Sequence, residues 1–327
     1  MLLSVVVPTR NRAAKLERAL HSLSLQSLPP QQFDVIVVDN GGTDNTAEKF
    51  ASFQVHFPNW KLARQPLPGP AAARNAGAQL SQAELLLFLD DDVIASPGLL
   101  QAHLEAQRQF PGCAVLGKVR NSWTGDESPF HRTLARRHLF HSFEFADPEN
   151  VPFAHFYSCN LSLPRSALLQ LGGFDERFPS AAFEDTDLGY RWASSGRRLV
   201  FCPEAGVTHD PSLTCHGFAG KRFAAGQALC LLLAKHPELE ETFLPSWWRR
   251  LLRSSLGFVA QPLAGLFDRP LPRAFLPALA EFCWFYLEYR FWAGYRQGRA
   301  APAAPQVAPT TPSSSISETA ARTGMKS

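Results

Sequence analysis

The chain has 327 residues, 45% of them hydrophobic and 19% charged, with a formal net charge of +3. That length holds one large α/β domain of about 230–250 residues plus an appendage. The charge is too small to point to nucleic acid, so no nucleic-acid partner is expected. Six cysteines stand singly, with no Cys-x-x-Cys pair, which suits buried reduced thiols and not a zinc site or a disulfide framework.

The chain opens Met1-Leu2-Leu3-Ser4-Val5-Val6-Val7-Pro8, with no basic leader and a break at Pro8. It reads as a first strand and not as a signal peptide, so a cytoplasmic protein is expected; for the same reason the sequon Asn160-Leu161-Ser162 carries no weight. Ser4–Val7, Val35–Val38, Glu84–Leu89 and Ala114–Val119 are short apolar runs. Ala13–Leu25, Thr43–Phe53, Ala71–Leu80 and Pro97–Phe110, set between them, read as helices. Strands separated by helices of this length predict βαβ units and a mostly parallel sheet. Val35-Ile36-Val37-Val38 does not alternate, as a strand buried on both faces should not.

Residues 121–151 mix aromatics, His, Arg and Pro with poor periodicity, and read as an irregular insertion or lid. Tyr157–Leu163 and Arg198–Cys202 then read as strands and Phe183–Ser194 as a helix, with His209 just beyond a further short extended stretch. From 246 to 299 the composition changes: four Trp and eight Arg stand against three acids. No run there reaches the ~20 apolar residues that a membrane span needs. Two readings stay open, peripheral association with anionic lipid at the inner face of the membrane and ordinary packing on the main domain. The tail, 300–327, is rich in Ala, Pro, Ser and Thr, and disorder is expected. The chain thus divides into a main domain over 1–225, a helical segment over 226–299 and the tail.

The strongest chemical signal is Asp90-Asp91-Asp92, which ends the apolar run Leu85–Leu89. A buried strand ending on acids brings negative charge to the carboxyl edge of the sheet, where open α/β folds bind ligands. Crowded carboxylates raise each other's pKa unless a cation neutralises them, and hard oxygen ligands suit Mg2+ or Mn2+ bridged to a phosphate. Asp39 ends the second run in the same way, and a carboxylate there can accept a hydrogen bond from a ribose or a base. Pro8-Thr9-Arg10-Asn11-Arg12 stands after the first run where a dinucleotide fold would have Gly-x-Gly-x-x-Gly. Arg74, in a helix of small residues, can pair with phosphate or remain an exposed Arg. Glu184, Asp185 and Asp187 crowd the first turn of a helix, a place acids favour anyway, yet one of them can take a proton from a substrate hydroxyl. His209 can ligate a metal or be structural.

Taken in order, these segments resemble the family-2 glycosyltransferases of GT-A fold. The residues that carry the likeness are Val5–Arg12, Val38-Asp39-Asn40-Gly41-Gly42-Thr43-Asp44, Ala73-Arg74-Asn75-Ala76-Gly77, Leu89–Asp92, Asn160-Leu161-Ser162, Gly172-Gly173-Phe174-Asp175 and Glu184–Leu188. The resemblance implies a Rossmann-like αβα sandwich and an inverting, metal-dependent transfer from a nucleotide-sugar donor. The acceptor would be a carbohydrate or lipid-linked hydroxyl, in cell-surface polysaccharide or glycolipid assembly. It also implies Pro8, Arg10, Asp39, Arg74, Asp90 and Asp91 as donor contacts, Asp90, Asp92 and His209 as ligands of Mn2+ or Mg2+, and Asp185 as the base, with Glu184 beside it. The family's processive members carry Gln-x-x-Arg-Trp; Leu188 stands at the Gln position before Arg191-Trp192, which favours single additions. Two other readings compete. A nucleotidyltransferase would want a Gly-rich basic loop after the first strand, and a non-catalytic sugar- or nucleotide-binding module could dispense with Asp185 and the metal acids.

Overall fold

The computed structural model describes residues 1–300 apart from 67–68, 124–126, 138, 140–142, 179, 211–212 and 273, together with 317–318. Strands β1 (Leu3–Thr9), β2 (Phe33–Asp39), β3 (Lys61–Arg64) and β4 (Leu85–Leu89) run parallel, in the spatial order β3-β2-β1-β4. They are joined by helices α1 (Ala13–Ser24), α2 (Thr46–Gln54) and α3 (Pro70–Leu80). The chain moves outward from β1 to β3 and then returns to the other side of β1. The ends of β1, β2 and β4 therefore flank a switch point of the sheet, where ligand crevices open.

The second half of the sheet adds β5 (Val93–Ala95), β6 (Ala114–Asn121), β7 (Asn160–Pro164) and β8 (Leu199–His209). β7 runs antiparallel between β4 and β6, while β8 runs parallel to β6. The expected mostly parallel αβα sandwich is what forms. α1, α2 and α4 (Leu99–Gln109) cover one face through Leu16, Leu20, Phe50 and Leu104. α3, α6 (Arg165–Gln170) and α7 (Glu184–Ser194) cover the other through Ala78, Leu168, Leu188 and Trp192.

Several elements depart from the sequence reading. β3 and the three-residue β5 were not expected, being too short for a periodic signal. The stretch read as Arg198–Cys202 followed by another run is a single strand that ends on His209. Its register against β6 shifts between Gly117 and Lys118, so residues 203–205 bulge out and the pairing then resumes. Residues Tyr157–Cys159 precede β7 and do not belong to it. Within 121–151, read as irregular, α5 (Pro129–Arg136) is a capped helix whose Phe130 and Leu134 are buried. The tail over 300–327 lies outside the described residues, except for Ala300 and for Ser317–Glu318, which pairs with β3 as β9.

The C-terminal helices are α8 (Cys215–Lys235), the short α9 (Glu240–Phe243), α10 (Trp247–Ala260) and α11 (Leu276–Ala300). α8 and α11 touch backbone to backbone, because a Cβ on Gly226 would strike the Phe291 carbonyl and one on Gly294 the Phe223 carbonyl. Glu288 of α11 is buried and is paired by Arg222 of α8 at 2.8 Å and Arg253 of α10 at 2.9 Å. Much of the Arg and aromatic content of this segment is thus consumed in packing. Arg222 lies over Phe291, Arg253 over Trp284 and Arg290 over Phe223, and Trp292 is buried.

Asp187 joins this helical layer to the sandwich. Its fully buried carboxylate accepts from Lys235 at 2.7 Å, His236 at 2.8 Å and Arg191 at 2.7 Å. Burial opposes its charge, yet Arg191, Lys235 and His236 outweigh burial and hold the carboxyl below the usual range. Removing one partner of a buried ion cluster leaves the others uncompensated, at roughly 3–5 kcal/mol. Asp187→Ala is therefore expected to cost about 3 kcal/mol or more at pH 7 by denaturant unfolding. A lowered folded pKa stabilises above the unfolded value and is lost as pH falls through the folded one. The difference from wild type should therefore shrink below about pH 4, and a deficit that ignored acid would assign the effect to packing alone.

Candidate active site

The site forms where β1, β2 and β4 end. Thr9 closes β1 and donates to Asp91 Oδ2 at 2.8 Å. Asn11 then takes a left-handed backbone, φ 54°, which turns the chain so that Arg12, not Arg10, faces the acids. Arg12 Nη1 lies 2.9 Å from Asp91 Oδ1 and 3.3 Å from Asp92 Oδ2. Lys15 Nζ adds a second cation 3.7 Å from Asp92. Arg10 itself is exposed and pairs with no other described residue. Pro8 sits half-buried opposite Val38 in the sheet. Asp39 ends β2, and its Oδ1 accepts from Gly42 N–H at 2.8 Å across the tight Gly41-Gly42 turn. Asn40 points the other way and anchors the Gly69 carbonyl before α3 at 2.6 Å.

The three acids divide among different partners. Asp91 is buried and held by Arg12 and Thr9, and burial still pushes its carboxyl up to about 6. Asp92 is also buried, but the hydrogen bond and charge of His209, with Arg12 and Lys15, outweigh burial and hold it at about 2. His209 Nε2 lies 2.9 Å from Asp92 Oδ1, brought there by the antiparallel pairing of Val93 with His209. Asp90 does not join this pair. It is half-exposed, and its Oδ1 faces Arg74 Nη2 at 3.4 Å.

That 2.9 Å separation tests the donor set against a divalent ion. Two neighbouring ligands of an octahedral ion, each about 2.1 Å from it, lie about 3.0 Å apart. An imidazole and a hard carboxylate fit Mn2+ or Mg2+ in this respect. Among the described residues, no group of three or more His, Cys, Asp or Glu is arranged to hold an ion by itself. Phosphate oxygens or water would have to fill the other positions, as is usual for such ions.

Arg74 is the second centre. The sequence left it open as an exposed Arg, yet the structure buries it in α3 and gives it acids on both sides. Nη2 reaches Asp90, while Nη1 lies 2.9 Å from Glu184 Oε1 and 3.9 Å from Asp185 Oδ1. Glu184 and Asp185 begin α7, after Phe183 in a left-handed conformation. Asp185 Oδ2 accepts two hydrogen bonds from Ser158, from N–H at 3.0 Å and from Oγ at 2.9 Å. Its Oδ1 accepts none. Burial raises the pKa of both acids, with Asp185 raising Glu184 further and Arg74 opposing. Two acids thus share one Arg cation, so the pair is poised to hold a proton. Glu184 is almost wholly buried, whereas the Asp185 side chain is 24% exposed, although its unbonded Oδ1 is itself closed to solvent.

Thr9, Arg12, Lys15 and Ser158 were not singled out from the sequence. Lys221 of α8 was missed too; it is exposed and lies within electrostatic reach of Asp90, Asp92, Arg12 and Lys15. Asn75, in contrast, explains its motif. It brackets Phe174 N–H and C=O, each at 2.9 Å, so that the Gly172-Gly173-Phe174-Asp175 turn is fastened to α3 beside Arg74.

Residues 4–172 of this chain match the model of glycosyl transferase family 2. The chain belongs to that family. It is similar to the validoxylamine A glucosyltransferase of Streptomyces hygroscopicus, 35% identical over 239 residues, covering 66% of this chain and 53% of that protein. It is also similar to the N-acetylglucosaminyl-diphospho-decaprenol L-rhamnosyltransferase of Mycobacterium tuberculosis, 29% identical, covering 78% of this chain and 89% of that one. The chain thus spans about half the length of the first of these relatives. The fold is shared with the mannosyltransferase PcManGT of Pyrobaculum calidifontis, solved with GDP-mannose and Mn2+ (TM-score 0.54, 20% identity, covering 93% of this chain and 76% of that one).

Proposed function

We propose that the protein is an inverting glycosyltransferase that moves a sugar from a nucleoside-diphosphate donor to a hydroxyl acceptor. The observation that carries this is Arg74, one buried cation facing the strand-end acids on one side and the Glu184–Asp185 pair on the other. In that arrangement the donor lies over the ends of β1, β2 and β4. Asp39 and Pro8 line the nucleoside end. Arg12, half-exposed, and Lys15 offer positive charge to the diphosphate, and Lys221 adds more from α8.

Asp185 has the features of a general base. Ser158 fixes one carboxylate oxygen and leaves Oδ1 without a hydrogen bond, and a raised pKa brings the group nearer to neutrality, where base catalysis is most effective. The attacking oxygen forms a bond to the anomeric carbon on the face opposite the departing diphosphate, so one displacement inverts that centre. Glu184, buried against Arg74, positions Arg74 and does not meet the acceptor. Asp92 and His209 would hold a divalent ion, with Asp90 close by; when bound, such an ion supplies Lewis-acid stabilisation of the leaving diphosphate.

The acceptor class is read from the relatives. One is named for a validoxylamine acceptor, the other for a polyprenyl-linked diphosphosugar, so glycan or lipid-linked hydroxyls are the first to test. Purified protein is screened against a panel of nucleotide sugars with Mn2+ or Mg2+, by thermal shift and donor hydrolysis. Failure of every sugar nucleotide to bind would remove the proposal. A second prediction concerns the metal. Asp92→Ala is expected to weaken donor affinity in Mn2+ at least tenfold by calorimetry and to abolish the difference that EDTA makes in wild type. Equal wild-type affinity with and without EDTA would sink the metal assignment.

A further inference from the structure

Helix α10 is inside out. Its buried positions are Ser254, Gly257 and Ala260, with a Cβ on Gly257 meeting the Phe285 carbonyl of α11. Its large apolar side chains Leu251, Leu252, Leu256, Phe258 and Val259 are instead between 39% and 67% exposed. At about 100° per residue they form, with Ser255, a stripe about 160° wide facing solvent. Of the twelve large apolar side chains exposed among the described residues, seven fall between Leu251 and Phe282. The antiparallel packing, with Gly257 against Phe285 and Arg296 bonded to Ser254 at 3.2 Å, sets exposed Phe282 at the far end of the same helix. Monomeric proteins rarely expose so concentrated an apolar surface without a partner for it.

Charge selects the partner. Residues 246–299 hold eight Arg against three acids, while the whole chain carries a net charge of only +3. Arg249 and Arg250 precede the apolar stripe in sequence, and Arg269 follows it, exposed. An exposed apolar helix face in a segment rich in arginine matches a bilayer whose hydrocarbon lies beneath a layer of anionic headgroups. No helix among the described residues is long and apolar enough to cross a membrane. We infer that α10 lies in the plane of an anionic lipid surface, with Leu252, Phe258 and Val259 entering the headgroup boundary. Arg253 of α10 and Arg222 of α8 share Glu288, which ties α10 to the helix that also carries Lys221.

The inference is independent of the transferase reading, since vesicle binding needs no sugar nucleotide. The test is co-sedimentation of the full chain with phosphatidylcholine vesicles and with vesicles containing phosphatidylglycerol, alongside its mass in solution by light scattering. Wild type is expected to bind the anionic vesicles at least tenfold better than the neutral ones. Raising salt from 0.1 to about 0.5 M, which cuts the Debye length by about half, should weaken binding several-fold without abolishing it. Leu252→Ser/Val259→Ser alters two exposed positions and should lose about tenfold in vesicle binding, with an unchanged unfolding midpoint and unchanged thermal shift by sugar nucleotide. No vesicle binding by wild type, or equal binding by the variant, overturns the inference. So does a wild-type dimer that the double variant dissociates without any vesicle effect, which would make the face a contact between two copies of this chain.

Discussion

Asp185→Asn is expected to lose about 10²–10⁴-fold in transfer to the acceptor while leaving donor affinity within about twofold, the range that a missing general base predicts. The substitution keeps the shape of the side chain and its hydrogen bonds from Ser158, so folding is not at issue. It removes the lone pair on Oδ1 that takes the proton, and donor hydrolysis should fall with transfer, because water needs the same base. The pH profile gives an independent readout. A base must be deprotonated to act, so wild-type transfer should rise with pH through a midpoint above the ordinary carboxylate value, displaced upward by burial. The residual activity of Asp185→Asn should lack that limb. Near-wild-type transfer by this variant would move the base elsewhere, to Glu184 first.

Leu85–Leu89 followed by three acids showed both a buried strand and its chemistry, because five consecutive apolar residues and an abrupt change of polarity need no long-range information. Asp39 and the Gly41-Gly42 turn were legible for the same reason. Arg10 and Arg12 could not be told apart, since the outcome rests on the left-handed backbone at Asn11. β8 looked like two strands because Pro203 and Glu204 interrupt it, and a bulge absorbs them only once β6 is there to pair with. Arg74 was named but not its burial, which is created by Glu184, 110 residues away. The Asn160-Leu161-Ser162 motif hid its physical role as well. Both polar side chains grip the buried His103, at 2.9 Å each, and burial lowers that imidazole to about 4, so it is neutral and structural. The outward-facing stripe of α10 is patterned like any amphipathic helix, and nothing in a sequence says which side of such a helix a fold will cover.

The largest structural effect is expected at Arg74. Arg74→Met removes the buried cation between Asp90 and the Glu184–Asp185 pair and leaves a buried carboxyl beside a largely covered one. Breaking a buried ion cluster in this way costs roughly 3–5 kcal/mol. The sign of the pH dependence identifies the cause. Without Arg74 both acids depend on protonation to remain buried, so their folded pKa values rise further above the unfolded ones. Such groups bind more protons folded than unfolded, and stability then falls as pH rises through the window between the two values. The deficit of Arg74→Met against wild type should therefore grow from pH 5 to pH 8 in denaturant unfolding. Arg74→Met/Glu184→Gln removes one of the stranded charges and should recover more than half of the loss at pH 8. It should not recover donor affinity, because Asp90 still lacks its 3.4 Å partner and repels a diphosphate. A deficit that is flat with pH would place the contribution of Arg74 in its packing over Phe174 at 5.5 Å, and the link between the two acid clusters would carry no functional weight.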